Sequence, residues 1–121
     1  FDSFYLNNRG YVQNIIGDYD AALVSLYTAV ELDPEMAYAH SNLGKTYLGL
    51  AELELAQRQL EIALTLDPED PYTYHNFALL SAAKGDTISA CEYLELAIQK
   101  NSSFILPIGK ELKADHQRIC R

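Results

Sequence analysis

The sequence predicts an all-α fold, an α-solenoid of three helix-turn-helix repeats closed by one further helix, seven helices in all. Leu-Asp-Pro occurs at 32–34 and again at 66–68, an offset of 34 residues. The same offset links Asn8, Asn42 and Asn76; Gly10, Gly44 and Ala78; and Gly17, Ala51 and Gly85. It also links Ala22, Ala56 and Ala90; Leu26, Leu60 and Leu94; and Ala29, Ala63 and Ala97. Within each period an apolar stripe at helical spacing runs for about 14 residues, breaks, and resumes for about another 14. These columns place the repeats at 3–36, 37–70 and 71–104, within a single domain spanning 1–121.

Each break has a local cause. Gly17-Asp18 and Gly85-Asp86 divide the first and third repeats, since glycine ends one helix and aspartate caps the next. Asp33-Pro34 and Asp67-Pro68 end the second helices, because proline pushes the residue before it out of the helical region. Pro71 falls in the first turn of the following helix, where its missing donor costs nothing. Small residues stand where paired helices must cross closely: Gly10, Gly44 and Ala78 on the first helices, the two alanine columns on the second. Large ones (Leu6, Leu43, Tyr47, Phe77 and the leucine column) fill the space between turns. The last stretch, about 105–119, completes no repeat. Ile108, Leu112 and Ile119 share one helical face there, with Lys110, Lys113, His116 and Arg118 mostly elsewhere, as a capping helix requires.

Composition narrows the function classes. The chain has 121 residues, 49% of them apolar, which suffices for one core and argues against wholesale disorder. Nine Lys and Arg stand against seventeen Asp and Glu, a formal charge of −8. Such a surface repels phosphate backbones and anionic lipid headgroups, so neither nucleic acid nor membrane insertion is expected. No apolar run approaches the length of a membrane span, and no signal-peptide pattern opens the chain. A start at Phe1 suggests a trimmed fragment; the compartment is not fixed by the sequence, with the cytoplasm favoured. Cys91 and Cys120 make no disulfide framework or metal-ligand spacing and read as a half-buried thiol and a tail thiol.

Leu43-Gly44, Tyr47, Ala56, Leu60, Ala63 and Pro68 make the second repeat resemble the tetratricopeptide repeat family closely. The first repeat shares Gly10, Tyr19, Ala22, Leu26, Ala29 and Pro34 but has Arg9 and Gln13 where the family prefers Leu and Tyr. The third shares Ala78, Gly85, Ala90, Leu94 and Ala97, with Ser102 in place of the usual proline. The resemblance covers about 3–104 and implies a right-handed superhelix; one such scaffold serves many partners.

No catalytic constellation is legible. His40, His75 and His116 are scattered at no ligand spacing, and there is no phosphate-cradling glycine loop or nucleophile elbow. His40 falls in a packing column, His75 on the inner face and His116 in the terminal helix. The expectation is a non-enzymatic protein with no metal and no cofactor. Asn101-Ser102-Ser103 matches a glycosylation acceptor, which matters only in a secreted eukaryotic protein.

Function in such a solenoid is expected on the concave surface lined by the first helices. Helical geometry and the family resemblance together put the second, fifth, sixth, ninth, twelfth and thirteenth residues of each repeat there. An aromatic column, Phe4, Tyr38 and Tyr72, then runs beside the asparagine column Asn8, Asn42 and Asn76. Tyr11, Lys45, His75 and Leu79 join them as candidate contacts, and none of the eighteen positions, six in each of three repeats, is acidic. Asparagine offers a donor and an acceptor to a peptide backbone, and tyrosine adds contact area at low entropic cost. Three amide contacts supply about 3 kcal/mol net, whereas micromolar binding needs about 8, so apolar pockets must contribute most of the rest. The alternative role for the asparagines is to bridge neighbouring helices, and the aromatics can pack between repeats.

Continuing the register adds Lys110, Lys113 and His116, which with Lys45 and His75 would make a positive end for an acidic segment. The basic clamp of tetratricopeptide domains that grip heat-shock chaperone tails is matched only at Asn42. Asn7 stands where such a domain has lysine, Tyr11 where it has asparagine, and Tyr72 and Asn76 where it has lysine and arginine. A chaperone co-factor is therefore not expected. The sequence points to a scaffold binding a peptide segment of a partner protein, with homo-oligomerisation not indicated. The alternatives are a spacer or assembly segment of a larger protein, or a regulatory domain attached to an enzyme. Substituting Ala63 by Leu should overpack the helix crossing and destabilise the fold by about 1–3 kcal/mol, read as a lowered thermal midpoint.

Overall fold

The computed structural model describes residues 1–101 and 108–120. Among these, seven helices and no strand are present: α1 (Ser3–Ile15), α2 (Tyr19–Leu32), α3 (Ala37–Gly49), α4 (Leu53–Leu66), α5 (Pro71–Ala83), α6 (Thr87–Asn101) and α7 (Gly109–Ile119). The chain divides into two compact units, Phe1–Pro68 carrying α1 to α4 and Glu69–Arg121 carrying α5 to α7. Ser102, Ser103 and the first residues expected in the capping helix lie outside the described residues.

The helix ends form as the sequence requires. Asp18 accepts a hydrogen bond from the Ala21 amide, and Asp86 accepts one from the Ser89 amide at 3.0 Å. Those Ser89 bonds hold the Asp86 carboxyl below its ordinary range. Asp33 and Asp67 close α2 and α4 outside the helical region, at ψ 88° and 94°, ahead of their prolines. Pro71 opens α5 behind the cap supplied by Asp70.

In the first unit α1 packs on α2, and α3 on α4, through one repeated contact. A Cβ on Gly44 would lie 2.6 Å from a methyl of Leu60, and one on Gly10 would strike Leu26 in the same way. Ala22, Leu26 and Leu43 form one cluster; Leu6, Ala29, Met36 and Ala39 form another, and all are buried. In the second unit Ala78, Leu94 and Ala97 meet Ile108 and Leu112, so the terminal helix covers the α5–α6 pair with the face expected of it. Ile119 packs against the same cluster.

Two features differ from expectation. Cys91 on α6 and Cys120 at the end of α7 are joined in a disulfide, with Cα atoms 5.5 Å apart. The reading of two separate thiols is therefore corrected: a separation of 29 residues gives no signal in a sequence, but docking α7 on α6 brings the ends together. Closing a loop of that length constrains the unfolded chain by about 3–4 kcal/mol in the chain-entropy account.

The second difference is the turn between α3 and α4. Gly17 and Gly85 turn their chains at φ 82° and 81°, and Ala51, at the same place in the second repeat, does so at φ 61°. An alanine there bears a steric cost that glycine avoids. Ala51→Gly should therefore stabilise the protein by about 0.5–1 kcal/mol, and its denaturation midpoint should rise.

Candidate functional site

The first residues to place are those of α1 and α3, which lie side by side in the first unit. On α1, Phe4, Asn8, Tyr11 and Ile15 follow one another at helical spacing, and all four are exposed. On α3, Tyr38 is exposed, and Asn42 and Lys45 are half-buried. Between these two rows runs a polar seam. The Asn42 side-chain amide donates to Asn7 Oδ1 at 2.8 Å, and the Asn14 amide donates to the Asn42 carbonyl at 3.0 Å. The Thr46 hydroxyl lies 2.7 Å from Asn14 Oδ1 and 2.9 Å from the Asn42 carbonyl, between two acceptors. Asn7 and Asn14 are 7% and 6% exposed, so their amides serve the helix contact. Asn42 thus takes the bridging role that stood as the alternative for its column.

The second unit repeats the device with other chemistry. His75 occupies the place in its repeat that Asn7 has in the first, and it too reaches the next helix on that side. Its Nε2 lies 2.7 Å from Asp115 Oδ2 on α7, and Arg118 donates to the other oxygen of Asp115 at 2.9 Å. Burial raises the Asp115 pKa, but the bonds from His75 and Arg118 outweigh it and leave the carboxyl below its ordinary value. His75 and Asn76 are buried, while Tyr72 and Leu79 are half-buried. Of the residues expected to make a positive end, Lys110 and Lys113 are exposed on α7, and both histidines stand beside carboxylates. Asp115 holds His75, and Glu95 stands 3.7 Å from His116.

His40, Tyr27 and Tyr47 serve packing. His40 places Nδ1 2.8 Å from Gln59 Oε1 and Nε2 2.8 Å from the Pro34 carbonyl, tying α3 to α4 and to the preceding turn. The Tyr27 and Tyr47 hydroxyls are hydrogen-bonded to one another. Burial, then the bond to Tyr27, pushes the Tyr47 pKa upward. Among the described residues no cluster of His, Cys, Asp or Glu could hold a metal ion, and no helix is long and apolar enough to cross a membrane.

Sequence reasoning did not single out Thr46 or Asp115. Thr46 carried a faint signal, a hydroxyl four residues after Asn42 on the same helical face. Asp115 carried none, because the apolar face of Ile108, Leu112 and Ile119 tells which side of α7 is covered but not which α5 residue comes to lie opposite Asp115.

A helix-pair architecture of this period, with bridged first helices, is that of a repeat scaffold, and direct comparison agrees. A family model described as TPR repeat matches residues 6–50, and one described as tetratricopeptide repeat matches residues 37–70. The chain belongs to the tetratricopeptide repeat family. No curated protein sequence matches it.

Solved structures resemble nearly the whole chain. The TPR2B domain of yeast Sti1, in complex with pHsp70, superposes with a TM-score of 0.82 at 19% identity, over 98% of this chain and 95% of that one. The first TPR of Spaghetti (RPAP3), bound to the HSP90 peptide SRMEEVD, gives 0.78 at 18% identity, over 98% and 90%. The Yersinia enterocolitica type III secretion chaperone SycD, in complex with a peptide of the translocator YopD, gives 0.76 at 21% identity, over 95% and 86%. At these identities the likeness is one of fold.

The Asp115 cluster has a pH signature. A carboxyl whose folded pKa is depressed contributes stability above its unfolded value, near 3.9, and loses that contribution as pH falls through the folded value. The thermal midpoint should therefore fall as the medium is acidified below about pH 4, and Asp115→Asn should flatten that fall.

Proposed function

We propose that the chain is a non-enzymatic protein-interaction module that holds a peptide segment of a partner against the exposed faces of α1 and α3. One observation carries this reading: Phe4, Tyr11, Ile15 and Tyr38 stand in solvent on these helices, though each is large and apolar enough for a core. Exposed apolar residues grouped beside a polar seam mark contact surfaces more often than isolated ones do. Solved relatives of the same fold carry peptides or partner proteins, which supports the same use here. We further propose that repeats 3–36, 37–70 and 71–104 act together as one domain, which a single cooperative unfolding transition would support.

The heat-shock clamp remains matched at Asn42 alone. Asn7 and Asn42 are bonded to each other, and Tyr11 stands where the clamp has a small amide. Tyr72 and Asn76 likewise replace basic residues. The proposed partner is therefore another class of segment.

A second reading rests on the other side of α1. Tyr5, Val12 and Ile16, together with Val24 on α2, are also exposed, and this edge would serve assembly with another chain.

The test is affinity capture from native lysate with the wild-type chain and a Tyr11→Ala/Tyr38→Ala variant, both checked for helicity by circular dichroism. The partner should be retained by the first and lost by the second, with affinity reduced about tenfold or more. Equal capture would sink the groove reading; loss on Val12→Ser/Ile16→Ser alone would favour the edge.

A further inference from the structure

The proposed surface has a composition that says what kind of segment it takes. Within the first unit, α1 and α3 contain two charged residues, Arg9 and Lys45, and no acid at all, whereas the rest of Phe1–Pro68 holds ten Asp and Glu against Arg58 alone. The chain as a whole carries −8, so subtracting the +2 of this pair leaves −10 on everything else. Charge is therefore segregated by helix: a neutral, weakly positive face is set in a strongly acidic protein. A segment bearing carboxylates would meet one lysine on the face and net repulsion from the rest.

The amides narrow the chemistry further. A main-chain reader needs side-chain donors and acceptors aimed at the ligand, and those of the first unit are largely engaged. The Asn42 donor is given to Asn7, the Asn14 donor to the Asn42 carbonyl, and Asn14 Oδ1 receives Thr46. Beside Asn8, which is exposed on α1, the face presents mostly apolar area: Phe4 and Ile15 are each 67% exposed, Tyr38 50% and Tyr11 42%. Side chains of this size dominate binding energy once desolvated, and tyrosine tips tolerate a wet rim.

We propose that the segment recognised on α1 and α3 is an apolar, aromatic-bearing stretch flanked by lysine or arginine. Its apolar side chains pack against Phe4, Tyr11, Ile15 and Tyr38, while its basic flanks extend into the negative field of the surrounding protein. The inference rests on the reading of this face as a peptide site and adds the chemistry of the occupant. Complementary charge acts mainly at long range, through encounter and orientation, and is weakened by salt; the apolar contacts hold the segment once it is seated.

The experiment is selection of a phage-displayed random peptide library on the whole, disulfide-bonded chain. Tyr11→Ala/Ile15→Ala serves as the counter-screen, folded as judged by circular dichroism. Enriched peptides should combine aromatic or aliphatic residues with basic flanks and carry net positive charge. A synthesised consensus peptide should bind the variant about tenfold or more weakly. Raising the salt concentration should weaken its binding several-fold. An acidic consensus that the variant still loses would overturn the occupant's chemistry and leave the peptide site standing. Basic peptides without apolar residues, or apolar ones insensitive to salt, would likewise overturn it. Enrichment equal on both proteins, or none on either, would remove both the occupant and the site.

Discussion

The fold depends on how closely two paired helices can approach. At Gly10 and Gly44 the backbone of one helix meets the leucine of its partner with no room for a side chain between them. That contact sets the separation and rotation of each pair, and the short turn behind it leaves no slack to choose another. In the α5–α6 pair, Ala78 stands in the same column, buried in one cluster with Leu94, so a methyl is accommodated where the other pairs exclude one. Once the rotation is fixed, so is the allocation of faces. The side of α1 turned to α2 is spent on Leu6 and Gly10, and the aromatic side is left outward.

Packing of apolar columns alone would leave neighbouring first helices free to slide, because leucines and alanines are tolerant partners. Directional bonds remove that freedom. In the first unit an amide-and-hydroxyl seam joins α1 to α3; in the second an imidazole and a carboxylate join α5 to α7. Each seam carries buried polar groups that cost stability if left unmet, and among the described residues every buried side-chain nitrogen and oxygen has a partner. The consequence for function is a division of labour. A side chain that registers helices is not available to read a ligand, so in the proposed reading recognition falls to Asn8 and to the aromatic and aliphatic residues beside the seam.

Much of this was legible in the chain. The glycine, alanine and leucine columns fix helix spacing by steric necessity, and Gly-Asp and Asp-Pro pairs fix the ends by backbone chemistry, so both survive into the structure. Ala51 shows where column reasoning is incomplete: it shares a column with two glycines, and its left-handed conformation follows from them and not from its own preference. The surface was less legible. Phe4, Tyr11 and Tyr38 stand exposed on the helices from which they were expected to act, but a fifth- or sixth-place asparagine looks the same in sequence whether it faces a ligand or a neighbour. Its side chain reaches both ways, and only the placement of the next helix decides. Cys91 and Cys120 were illegible for the same reason, since their meeting depends on where α7 docks.

That disulfide alters what a break in the backbone would mean. Cys91 and Cys120 enclose the last turns of α6, the connection and all of α7 in one covalent ring. A protease that cut once inside the ring would leave two pieces still tethered, with the terminal helix held at Cys120 and its apolar face still beside the core it covers. The molecule would keep its mass apart from one added water, and only a reductant would reveal the nick. In that sense the end of the chain is guarded by its topology.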